Sequence, residues 1–134
     1  MDSDSEVWTP QGTTLMRPLR LMSVLDTVEG FRILVSTDDH YTYVVRAQVV
    51  FYRCSKVADN WPRNLSDPHH IENSLFLVEN STLVRELYRS LSFNKYFGGV
   101  LAHFALCVDP NTQIDFVTTG DYPLIRLAGS ESIS

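Results

Sequence analysis

The stretch Val100 to Thr119, VLAHFALCVDPNTQIDFVTT, restricts the fold more than any other part of the chain. Two strongly alternating runs flank Asp109-Pro110-Asn111-Thr112, a tetrapeptide with turn chemistry, so this segment reads as a β-hairpin. A hairpin cannot bury its apolar face alone and needs further strands or a helix against it. The first of its two strands carries His103 and Cys107 on one face.

The rest of the chain supplies those partners. Leu19 to Asp26 and Phe31 to Ser36 alternate apolar and polar residues around a Glu29-Gly30 turn. Tyr41 to Cys54 is the longest strand signal, with Tyr43, Val45, Ala47, Val49 and Phe51 on one face. Ser74 to Val78 is short and β-like. Asn80 or Ser81 then offers an N-cap to a helix whose stripe is Leu83, Val84, Leu87, Tyr88 and Leu91, closed by Gly98-Gly99. The order is β, one helix, then β again. It predicts an α+β fold: a twisted antiparallel sheet of about five to six strands with one main amphipathic helix packed on one face. A length of 134 residues predicts a single domain over 1–134, with 1–12 and 129–134 as flexible ends.

Between Ser55 and Asn73 periodicity is lost. Trp61-Pro62, Asp67-Pro68 and His69-His70 mark a long loop, and long loops in compact domains tend to carry function. The net charge of −5 argues against non-specific nucleic-acid binding and suits a basic partner. Beyond residue 95 only Arg126 stands against Asp109, Asp115, Asp121 and Glu131. The acidic start MDSDSE is unlike a secretory signal, and no apolar run approaches the ~20 residues of a membrane helix. Cytoplasmic location and no membrane contact are the expectation.

Catalytic chemistry finds little support in spacing. Residues four apart on one strand lie about 13 Å from each other, which rules out a His103–Cys107 dyad within the strand. Cys54 and Cys107, each in an apolar run, read as buried free thiols. His69, His70, Asp67 and Glu72 are metal-ligand types without a metal spacing, so no metal and no cofactor is expected. Asp109 reads as a turn residue, and Asp115 and Asp121 have no evident acid–base partner. No phosphate loop, nucleophile elbow or zinc-protease motif occurs. Trp8, Trp61, Tyr41 and Tyr122, in or beside loops, are candidate interface anchors.

Glu72-Asn73-Ser74, the Leu83–Leu91 helix, His103-Phe104-Ala105-Leu106-Cys107 and Ile114-Asp115-Phe116-Val117 together resemble small bacterial immunity proteins, over roughly residues 72–119. The resemblance implies a non-enzymatic domain that binds and neutralises a cognate toxin, a basic one where the toxin is a nuclease. The partner-binding residues expected on this reading are Trp61, Asp67, His69, His70, Asp109, Asp115 and Asp121. The alternatives are a small-ligand-binding domain or enzyme with a pocket between helix and sheet, lined by Tyr43, Phe51, Arg53 and His103, and a homodimer formed through a free apolar edge.

Overall fold

The strand signals of the sequence resolve into two sheets. The computed structural model describes residues 6–11, 15, 18–38, 40–56, 73–89, 100–109 and 111–128. Among these, nine strands and one helix follow in the order β1 (Val7–Pro10), β2 (Leu19–Thr27), β3 (Gly30–Thr37), β4 (Thr42–Ala47), β5 (Val49–Lys56), β6 (Leu75–Glu79), α1 (Thr82–Arg89), β7 (Ala102–Val108), β8 (Thr112–Thr118) and β9 (Leu124–Leu127). One sheet has the order β1-β6-β7-β8-β5 and the other β2-β3-β4-β9, with every strand pairing antiparallel. The expected α+β fold with a main helix is therefore corrected. The protein is nearly all-β, and its described helix has eight residues.

The correction has a definite origin. Tyr41–Cys54 reads as one strand because apolar and polar residues keep alternating through it. The chain in fact leaves one sheet at Ala47, passes Gln48 and enters the other at Val49. Strands that switch sheets in this way form the corners of two-sheet packings. A register shift between Val49 and Phe51 follows immediately. It changes which side chains face inward. Tyr43, Ala47 and Val49 pack with the core between the sheets and Val45 lies within it, whereas Phe51 joins a second cluster beneath the helix. The five residues expected on one face are thus divided.

The two sheets pack face to face. Phe31, Ile33, Val35 and Val45 from one meet Leu75, Phe104, Leu106, Ile114 and Phe116 from the other. Phe104 and Phe116 are directly opposed across β7 and β8, with ring centroids 5.6 Å apart, and Phe31 lies 5.9 Å from Phe116. Each fully buried side chain of this kind contributes roughly 1.5–3 kcal/mol, and aromatic pairs add about 0.5–1.5 kcal/mol. Asp109 fastens the end of the hairpin to β2. Its N–H donates to the Leu19 carbonyl at 2.7 Å, and its Oδ2 accepts from the Leu19 N–H at 3.0 Å.

The five-stranded sheet is also covered on its outer side. Leu83 and Leu87 of α1 pack against Leu101 and Val117, while Trp8 of β1 packs against Phe76 and Cys107. Val7–Pro10, expected to belong to a loose arm, is the strand β1 paired with β6. With both faces covered, β7 and β8 are buried almost throughout. The strong alternation expected of the first arm is corrected accordingly: AHFALCV is apolar on both faces, with His103 its one polar residue.

Candidate functional site: a serine–histidine–aspartate array beside a cleft

The outer face of β7 and β8 holds the polar side chains that the alternation leaves opposite the aromatic core. The hairpin register pairs Val108 with Thr112 and so sets Asp115 opposite Ala105, diagonal to His103 on the same face. His103 Nε2 and Asp115 Oδ1 are 2.7 Å apart. On its other side, His103 Nδ1 is 2.7 Å from Ser81 Oγ. Ser81, His103 and Asp115 are all buried, at 5%, 3% and 1% exposure.

Ser81 reaches this position through the turn from β6 into α1. Asn80 has φ of 57°, a left-handed conformation that asparagine tolerates better than most residues. The sharp turn sets Ser81 at the helix N-cap, where its Oγ accepts from the Val84 N–H at 3.1 Å. The Thr82 N–H donates to the carboxylate of Glu6 at 2.9 Å, and Arg85 braces the turn through Asn80 Oδ1 and Thr82 Oγ1. Tyr88 ties the helix to the start of the hairpin, its hydroxyl accepting from the Leu101 N–H at 2.7 Å.

The array has a defined polarity. Burial acts to raise the Asp115 carboxyl's pKa. The hydrogen bond and charge of His103, the Gln113 amide and the Arg53 guanidinium outweigh it and hold the carboxyl below its ordinary value. Gln113 Nε2 donates to both carboxylate oxygens, at 3.0 and 3.2 Å, and Arg53 Nε lies 3.4 Å from Oδ2. Asp115 is therefore an acceptor, and the proton of that bond sits on His103 Nε2. In the neutral ring, Nδ1 then accepts from the Ser81 hydroxyl. Three elements are joined in this way: the N-terminus of α1, β7 and β8.

A cleft of about 470 Å³ opens beside the array. Leu77, Val84, Val100, Leu101 and Tyr122 give it apolar walls, and Ser81, His103, Asn80 and Arg85 contribute polar groups. Its rim is apolar and exposed. Val100 and Tyr122 are 76% and 59% exposed, and Tyr122 also lines a second pocket together with Asp121 and Leu124. The Tyr122 ring is seated edge-on against Phe104, with centroids 5.3 Å apart.

The expected site residues separate. Trp61, Asp67, His69 and His70 lie outside the described residues. Asp109 is engaged with Leu19, Asp115 is buried against His103, Gln113 and Arg53, and Asp121 is exposed at a second pocket that shares Tyr122 with the cleft. Of the four residues expected to line a pocket, only His103 lines the cleft. Tyr43 packs on the inter-sheet core, Phe51 packs beneath α1, and Arg53 lies along Asp115. The cysteines also divide. Cys107 is buried as expected, but Cys54 is exposed on β5, and partial burial together with the Asp115 charge pushes its thiol pKa up, away from a reactive thiolate.

Ser81 is the residue that sequence reasoning left as a cap alone. A signal was present. The tripeptide Glu-Asn-Ser occurs twice, at 72–74 and 79–81, and only the second directly precedes the helical stripe. Ser74, in the first copy, is buried with a hydroxyl that finds no partner among the described residues. No group of three metal-ligating side chains suited to an ion occurs among the described residues, and no described helix is long and apolar enough to cross a membrane. No family model matches the chain, and no curated protein or solved structure shows significant similarity to it.

Proposed function

We propose that this protein is a protein-binding module of the immunity kind, which neutralises a cognate bacterial toxin in the cytoplasm by covering its active site or substrate surface. The observation that carries the reading is the exposed Tyr122, seated on Phe104. Tyr122 is shared by two concavities: it lines the cleft with the exposed Val100, and it lines a second pocket with the exposed Leu124 and Asp121. A half-exposed tyrosine seated on a buried phenylalanine is a rigid anchor, and such aromatics dominate binding energy at interfaces. The acidic neighbour and the net charge of −5 suit a basic partner by steering and by register. The likeness to immunity proteins over residues 72–119 points the same way.

The test is co-expression with the product of the neighbouring gene, read as complex formation and as protection of the host cell. Tyr122→Ala is expected to weaken the complex about 30-fold or more, the equivalent of roughly 2 kcal/mol for an interface anchor. Neither complex nor protection would remove this reading. A second copy of the chain is the competing occupant of this surface, and light scattering would show it as a dimer.

A further inference from the structure

Ser81 is more than a helix cap in its chemistry. It stands on a sharp strand-to-helix turn entered through a left-handed residue, and its hydroxyl meets a ring nitrogen whose other side is held by an ionised carboxylate. An activated nucleophile needs that set of contacts: a base within about 3 Å and a group that orients the base. Here the carboxylate takes Nε2 and the serine takes Nδ1. The chemistry requires only that the two ring nitrogens be divided between them.

We infer that Ser81 is the nucleophile of an acyl-transfer site and that the adjoining cleft accepts small esters with an apolar acyl group. Ser81 and His103 both line that cleft, and its remaining walls are mainly aliphatic and aromatic. In the first half of the reaction, Ser81 Oγ bonds to the ester carbonyl carbon and its proton passes to His103 Nδ1. The carbon–oxygen bond to the alcohol then breaks, and His103 returns the proton to the departing alkoxide. In the second half, water attacks the acyl-serine and gives one proton to His103 Nδ1. The carboxylic acid leaves and Ser81 recovers its proton. The net change is ester plus water to acid plus alcohol. Ser81 and His103 are the catalytic residues. Asp115 is a positioning residue that fixes the ring tautomer and balances the imidazolium. Arg85, whose two terminal nitrogens donate to Asn80 and Thr82, lines the cleft together with Glu79.

This inference stands apart from the docking reading, because it depends on the floor of the cleft and needs no partner. The experiment is to incubate the folded full-length chain with a fluorophosphonate and map the product by intact-mass and peptide mass spectrometry. A single adduct on Ser81, absent from the Ser81→Ala protein, is expected. Hydrolysis of p-nitrophenyl butyrate should fall about 10²–10⁴-fold in His103→Ala, the usual contribution of a general base. Asp115→Asn should shift the pH profile of that hydrolysis, which a purely structural role would not move. Circular dichroism of each variant is the check that it is folded. An unlabelled Ser81 in the folded wild-type chain would overturn the inference, and so would an adduct on another residue. Either result leaves the co-expression experiment to be judged on its own.

Discussion

The two faces of the β7–β8 hairpin are equally buried and differently built. Toward the other sheet lie Phe104, Leu106, Val108, Ile114 and Phe116, held by shape and by water exclusion. On the outer face, covered by α1 and by Trp8, lie His103 and Asp115 among Ala105, Cys107 and Val117, held at one point by a chain of hydrogen bonds from Asp115 through His103 to Ser81. The first face can exchange one apolar side chain for another of similar volume at small cost. The second cannot lose one member without leaving the others buried and unpaired. Burial therefore does not by itself say how a position responds to change.

The sharpest break of that contrast is Asp115→Ala. It strands the buried His103 Nε2–H, and urea denaturation should show a loss of about 3–5 kcal/mol. Leu106→Met, equally buried on the other face, should cost less than about 1.5 kcal/mol. Similar losses for the two would mean that the faces are held in the same way. Next in size is Ser81→Ala, which removes both the cap of α1 and the partner of His103 Nδ1. A loss of about 1–2 kcal/mol is expected in the same measurement.

Acid sharpens the contrast further. Folding favours the ionised form of Asp115, so its contribution is complete above the ordinary carboxyl pKa of about 4. It is lost as pH falls through the lower value of the folded state. Stability measured from pH 5 downward should decline, and Asp115→Asn should flatten that decline while Leu106→Met leaves its slope unchanged. The smallest effect belongs to Asp121, at the second pocket. Asp121 contributes its backbone carbonyl to Thr118 Oγ1, which a side-chain change does not touch. Asp121→Arg should alter thermal stability within about 0.5 kcal/mol. Calorimetry against the basic partner should nonetheless show weaker and slower binding.

Much of this architecture was legible in the residues. The β2–β3 hairpin, the start of α1 and the β7–β8 hairpin fall where alternation, capping and turn chemistry put them, because those signals act over a few neighbouring residues. The sheet switch at Gln48 was not legible. A strand that changes sheets keeps the same two-residue period, and the bulge at Val49–Phe51 that redistributes its faces leaves no mark in composition. The site was half legible. Cys107 was correctly separated from His103 by distance along the strand. The partnership with Asp115 needed the register of the hairpin, and the partnership with Ser81 needed the docking of α1 on the sheet.

For the stretch from Val100 to Thr119, the sequence by itself determined a hairpin with strongly apolar arms and a turn at Asp109–Thr112. Local conformational preference and side-chain period are enough for that. Only the tertiary structure decided that both faces of the hairpin are buried, and that the polar residues on one of them form an array with a serine contributed by another element. Hydrogen bonds between side chains distant in sequence depend on how whole elements pack. Ångström differences in that packing decide whether His103 meets a carboxylate and a hydroxyl or neither.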